Sequence, residues 1–338
     1  MAANLVKAVL WACGIALDAS HGYDQANRYG PDYDCSSFVA ASLIQGGFTG
    51  ISPSMYTGNE YSQLTAAGFV PVTPIGQTIC AGDVFFYHNS GNDGHTCMAI
   101  SSTQIVEAAG NEFGGATGGT PGDQTGQEIR IIGYADIGWQ YQMRYVERGT
   151  WIAGPGAMTQ AMMENNADLI CNALLQAGWS INAIAGFLGN AQVDSDLNPG
   201  HWENYDSSNP ANGFGIVQWK PSTDYTYWAT AHGFLPENGA GQMLWLTTEP
   251  VNSGYWQPTV EYPVTFMAWT ISDFSPADLA AVWAYNFARC DPGQVSARSG
   301  YANTWYQWMG GTVLTGTVPA WLLFKFVEKR RRLDGRSI

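Results

Sequence analysis

Two groups of residues in this 338-residue chain have the types and spacing that chemistry requires. The first is Asp34-Cys35-Ser36-Ser37-Phe38-Val39, which reads as a helix start after a tight loop. A thiol at that place faces free N–H groups and the positive end of the helix dipole, and both favour the thiolate. A nucleophile needs a base, and Gly94-His95-Thr96-Cys97 puts His95 at the start of a strand. Glu107 follows in Ile105-Val106-Glu107-Ala108, so antiparallel pairing predicts it beside His95, orienting the imidazole. His88, which ends the run DVFFYH before a turn, is the competing imidazole and is expected at the rim. Asn111 is a weaker candidate for a polar contact. The other cysteines (Cys13, Cys80, Cys97, Cys171, Cys290) lie mostly among apolar residues with no CxxC pair. That spacing predicts small buried side chains rather than a zinc cluster.

The second group lies in AGFLGNAQVDSDLNP (185–199), a helical pattern that ends in acids, followed by GFGIVQW (213–219). A carboxyl at a helix end facing a hairpin with Gln218 and Trp219 suits glycosidic cleavage. Such a bond needs an acid for the leaving oxygen and an aromatic, partly dry wall that keeps that acid protonated. Asp194 is the candidate acid, and Glu203, in His201-Trp202-Glu203, is its rival. Trp202, Tyr205 and Trp219, beside these acids, are expected to touch sugar. Asp194-x-Asp196-x-Asn198 matches the opening of a calcium loop, but Pro199 replaces the sixth-position Gly and Tyr205 the twelfth-position Glu. No metal and no cofactor is expected.

The elements that must position these groups fall into two halves. Residues 1–50 read as helices, the first amphipathic (Leu5, Val9, Ala12/Cys13, Ala16/Leu17) rather than a signal peptide. From 68 to 146 the pattern becomes short β runs between turns: FVPV, DVFFYH, TCMAI, QIVEAA, EIRIIGY and YQMRYV. Residues 149–165, with Gly154-Pro155-Gly156, read as a linker. Helices are expected again from 166, then over 224–232, 239–248, 258–271, 276–289 and 299–309. The expected fold class is α+β, with domains at 1–148 and 166–310 and a tail at 311–338.

Apolar residues make up 46% of the chain and charged residues 12%, which excludes a disordered chain. Residues 1–324 hold 8 basic against 26 acidic side chains, a net −18, so phosphate backbones would be repelled and no nucleic acid partner is expected. The tail runs VPAWLLFKFV (318–327) and then EKRRR. It is too short to span a bilayer and is expected to dock on a partner or stay disordered, with membrane-surface contact as the alternative.

The stretches GYDQANRYGPDYDCSSFV, AGDVFFYH, GHTCMAI and IVEAAGNEFGG resemble the NlpC-type papain-like cell-wall hydrolases, particularly phage amidase or endopeptidase modules, over about residues 1–147. The resemblance implies a papain-like fold of helices plus a small antiparallel sheet. It implies Cys35 as nucleophile, His95 as base and Glu107 as third polar residue, with Tyr23 or Tyr29 near the site. The amide would be a peptide-stem bond or the MurNAc–L-Ala link, and the Cys35 N–H would help hold the oxyanion. Residues 166–292 resemble the phage tail-type lysozymes, which implies a mainly helical domain with a small β-hairpin. Asp194 stands where that family has its catalytic Glu, one C–C bond or roughly 1.5 Å shorter. A misplacement of about 1 Å can cost on the order of a hundredfold in rate. Together the resemblances imply a bifunctional phage peptidoglycan hydrolase, a tail lysin or endolysin, acting in the virion tail or outside the host cell. Its partners would be the wall, of a Gram-positive host by expectation, and other tail proteins. A wall-gripping structural tail protein and a secreted conjugation hydrolase are the alternatives.

Overall fold

The computed structural model describes residues 2–89, 93–249 and 254–312; the apolar-then-basic tail segment lies outside the described residues. The order of elements is α1 (Leu5–Ala16), α2 (Cys35–Gln45), α3 (Thr57–Ala66), then β1 (Phe69–Pro71), β2 (Val84–His88), β3 (Gly94–Ala99), β4 (Gln104–Ala108), β5 (Ile129–Gly133) and β6 (Tyr141–Tyr145). The strands form one antiparallel sheet in the order β1-β6-β2-β3-β4-β5. The second half is helical: α4 (Gln160–Gln176), α5 (Ile181–Ser195), α6 (Ser222–Ala231), α7 (Gly239–Thr248), α8 (Phe266–Thr270), α9 (Pro276–Trp283) and α10 (Val295–Trp308). Helices with an antiparallel sheet, followed by a mainly helical half, make the chain α+β, as its pattern predicts.

Alternation sorts the sheet into two faces. Val84, Phe86, Met98 and Val106 join Leu5, Phe38, Val39 and Leu43 of α1 and α2 in the main core. Phe85, Cys97, Ala99, Ile105 and Trp139 form a smaller cluster. The helix starts have local causes. Asp34 caps α2 by accepting the Ser37 N–H at 2.8 Å, while the Ser37 hydroxyl accepts the Asp34 N–H at 3.0 Å. The sequence pattern does not predict α3, since its buried residues are only Glu60 and Leu64. The helix expected over 258–271 is confined to Phe266–Thr270, because Pro263 disfavours helical backbone before it. The hairpin expected at 213–219 is reduced to one bridge, Phe214↔Trp219.

The residues expected to link the halves are packed. α4 begins inside that stretch, at Gln160. Asn166 grips both the N–H and the C=O of Ile152, and Asn198 accepts from the Gly154 N–H and donates to its carbonyl. No helix among the described residues is long and apolar enough to cross a membrane.

Candidate active sites

At the first site His95 Nε2 and Glu107 Oε2 lie 2.7 Å apart. The other Glu107 oxygen accepts from Arg130, at 2.9 Å from Nε and 2.8 Å from a terminal nitrogen. Arg130 stands opposite Glu107 in the β4–β5 register. Burial pushes the Glu107 carboxyl up, but the hydrogen bonds and charges of His95 and Arg130 together outweigh it and leave it below the usual carboxylate range. The His95 ring stacks on Trp139, with centroids 6.0 Å apart. Around them opens a cleft of about 390 Å³, whose walls include Tyr23, Tyr87, His95, Glu107, Arg130 and Trp139.

Cys35 is the first residue of α2 and only 8% exposed. In β3 the Ala99 N–H donates to Asp83 and the Ile100 N–H to Gln104, so even-numbered amides face β4. Pairing with β4 stops at Met98↔Val106. One step further out, the Thr96 N–H meets the Cys35 sulfur instead of a β4 carbonyl. The sulfur therefore abuts the peptide that carries His95, although Cys35 is not among the cleft-lining residues. The helix start alone would favour the thiolate, but here it is outweighed. Burial, then the charges of Asp34 and Glu60, push the Cys35 thiol up to about 12, against the Thr96 and Ser36 N–H groups that pull it down.

The remaining candidates of the first half divide. Tyr23 lines the cleft, with its hydroxyl at the Cys35 backbone N–H. Tyr29 is 65% exposed, with its ring 5.9 Å from the Arg28 guanidinium. His88 is tied to the Thr57 hydroxyl at 3.0 Å, outside the cleft. Asn111 is spent on its own loop, bonded to Phe113, Gly115 and Thr117.

At the second site Asp194 lies in the last turn of α5, where the helix dipole disfavours a negative charge. Arg298 of α10 compensates, with 2.6 Å between the guanidinium and Asp194 Oδ1. The approach depends on Gly189, since a Cβ there would stand 2.5 Å from the Arg298 carbonyl and the Ala302 nitrogen. Asn190 holds the same guanidinium at 3.0 Å. Asp194 Oδ2 is buried without a partner. Burial pushes the Asp194 carboxyl up, against Arg298 and His201. Glu203 is different. It is paired with Lys220 at 2.7 Å and accepts the Gly213 N–H at 2.8 Å, which hold it below its usual range. Its charged state makes it the poorer acid.

Trp219 does not face a cleft. It is 1% exposed and stacked on Tyr225 at 4.6 Å, so burial of the indole in the core removes it from the sugar-contacting set. Trp202 packs on Phe214 at 4.5 Å and remains partly exposed, and Tyr205 is 62% exposed. Gln218, in left-handed backbone at φ 54°, turns its amide onto the carbonyls of His201 and Gly215 and so closes the loop.

Residues 12–116 match the family described as bacteriophage peptidoglycan hydrolases, and residues 165–309 match the phage tail lysozymes. The first half carries a peptidoglycan hydrolase domain of phage type, and the second a phage tail lysozyme domain. Morphogenesis protein 1 of Bacillus phage B103 is 37% identical over 155 residues, covering 46% of this chain and 42% of that protein. The chain thus spans less than half the length of this curated relative. Cys35, His95 and Glu107 all fall inside the hydrolase match, and Asp194, Glu203 and Arg298 inside the tail lysozyme match.

Arg130, Trp139 and Arg298 have no signal of their own in the sequence pattern. The strand run EIRIIG gives Arg130 a place beside Glu107 once the register is known. Arg298 lies 104 residues from Asp194 and has no local signal.

Proposed function

We propose that the chain is a bifunctional phage peptidoglycan hydrolase, with an amide-cleaving module at 1–148 and a glycan-cleaving module at 166–310. Cys35 Sγ attacks the carbonyl carbon of a wall amide, and its proton passes to His95 Nδ1, the ring nitrogen that Glu107 leaves free. Because the thiol is protonated at rest, proton transfer accompanies attack. The Cys35 N–H, which meets the Tyr23 hydroxyl in the free site, supports the oxyanion once the substrate oxygen takes that place. His95 then gives the proton to the departing amine, and water, activated by the same ring, hydrolyses the thioester. This is the papain-like, NlpC-type scheme. In the second module Asp194 is the acid that protonates the glycosidic oxygen of the β-1,4 bond.

The observation that carries this reading is the Glu107-held His95 at the peptide where the Cys35 sulfur rests, inside a segment matching phage wall hydrolases. The name of the Bacillus phage relative, a morphogenesis protein, favours a virion-associated role over a lysis-phase one, and its Bacillus host a Gram-positive wall as target. A second reading, a tail protein that grips glycan without cutting it, is favoured by the tie between Asp194 and Arg298.

The test is digestion of purified walls with identification of new termini by mass spectrometry. New amines or lactyl groups report the first module and new reducing sugars the second. Cys35→Ala is expected to abolish amide release, and unchanged release overturns the nucleophile. Asp194→Ala is expected to abolish sugar release. Unchanged release with loss in Glu203→Ala moves the acid to Glu203, and no sugar release from the unaltered protein favours the gripping role.

A further inference from the structure

Behind the nucleophile lies a carboxyl that the scheme above does not use. Glu60, on α3, is fully buried. Its Oε1 accepts the Thr96 hydroxyl at 2.7 Å, and its Oε2 has no partner. The same Thr96 offers its backbone N–H to the Cys35 sulfur. One residue of β3 therefore connects the buried acid to the thiol through two adjacent groups. We propose that Glu60 is a positioning residue for Cys35: through Thr96 it fixes the amide on which the sulfur rests, and the charge of its carboxyl governs how readily that sulfur ionises.

The groups around Glu60 make its charge matter. The charge of Asp34, the α2 cap, acts on Glu60, and Arg28 pairs with Asp34 at 3.1 Å. From α2 and β3 come the thiols of Cys35 and Cys97, both of which feel Glu60. β2 brings Tyr87 near Cys35 and His88 to Thr57 of α3, β6 brings Tyr141 to Tyr61, and β1 carries no titratable side chain. Among the described residues the free Oε2 has no hydrogen-bond partner. Burial pushes the Glu60 carboxyl up to about 8, so it is neutral at lower pH and charged above. Once charged it adds a second negative group beside Asp34 and opposes the thiolate. Ionisation of Cys35 is then eased below about pH 8 and opposed above it.

The experiment compares the full chain with Glu60→Gln, which keeps the shape and the oxygen that accepts from Thr96. Alkylation of Cys35 by iodoacetamide is followed by peptide mass spectrometry from pH 6 to 10, alongside amide release from walls. At pH 9 the variant is expected to alkylate Cys35 about tenfold faster, the equivalent of one pH unit in thiolate fraction. Its amide release is expected to lose the decline that the parent shows above pH 8. Superimposable alkylation profiles overturn the proposal. If Glu60→Gln does not fold, Thr96→Val serves instead. Removing the hydroxyl donor raises the Glu60 titration, so the alkaline decline must move to higher pH, and an unmoved decline overturns the proposal. The inference presupposes Cys35 as nucleophile, and Cys35→Ala keeps the two apart. Retained amide release in that variant defeats the nucleophile, whereas lost release with an unmoved Glu60→Gln profile defeats only Glu60.

Discussion

His95 and Glu107 are joined through one nitrogen and one oxygen, Nε2 to Oε2 at 2.7 Å, and the second oxygen of Glu107 is held by Arg130. The imidazole is thus fixed by a carboxylate that is itself fixed. Glu107→Gln keeps the volume but weakens the grip of Arg130 and can turn an N–H toward the ring. Amide release is expected to fall by about 10² to 10⁴, the range over which a positioned base acts. Alanine at His95 should cost at least as much, while alanine at His88, outside the cleft, should leave the rate within about twofold. Equal losses at the two histidines would show that the base has been misassigned.

The same carboxylate sets an acid limit. Glu107 is held below its ordinary value near 4.5 in the folded chain, so the stabilisation it gives is fully present above that value and is lost as pH falls through the lower, folded one. Melting temperatures of the parent from pH 7 to pH 3 should drop more steeply than those of Glu107→Gln, with the divergence beginning below about pH 4.5. Parallel curves would mean that Glu107 is not held in its charged form.

The six strands are legible because each is a short β run set between turns. Given the strands, alternation puts Glu107 and His95 on one face, but pairing stops at Met98↔Val106 and the register continued would oppose Glu107 to Cys97, so their contact rests on the side chains. α3 was not legible, since TGNEYSQLTA shows no apolar stripe and its buried acid makes sense only with Thr96 in place. The low-lying thiolate expected at Cys35 failed for a related reason. A helix start is a local feature, whereas the burial and the Glu60 charge that outweigh it come from the assembled sheet. Trp219 is expected on the sugar because it lies beside the acids in sequence, and only packing against Tyr225 reveals it as core.

The Asp194–Arg298 pair has both partners largely buried, with side-chain exposures of 11% and 3%. Removing one member of such a pair strands the other. Arg298→Met is expected to destabilise the protein by about 3 to 5 kcal/mol, read from denaturant midpoints at pH 7. The double variant Arg298→Met, Asp194→Leu should recover much of that loss, because no charge is left stranded. A single variant that unfolds within about 0.5 kcal/mol of the parent would show that Asp194 gives up its charge at little cost, and would strengthen its case as the acid.

The two halves meet through polar groups on α1 and α4 rather than through apolar side chains alone. Asn172 of α4 accepts the Leu5 N–H at 2.7 Å and donates to the Ala3 carbonyl at 2.7 Å and to Glu147 at 2.5 Å. Nearby, Asn4 and Lys7 both reach Asp168, and the Lys7 ammonium lies 3.4 Å from the Trp308 ring centroid. Buried groups that lose their partner cost about 1 to 3 kcal/mol each. Asn172→Ala strands several at once. Calorimetry of the parent should therefore show one cooperative transition, and of Asn172→Ala a lower first transition separated from a second. One transition at an unchanged temperature in the variant would mean that these hydrogen bonds do not couple the hydrolase half to the lysozyme half.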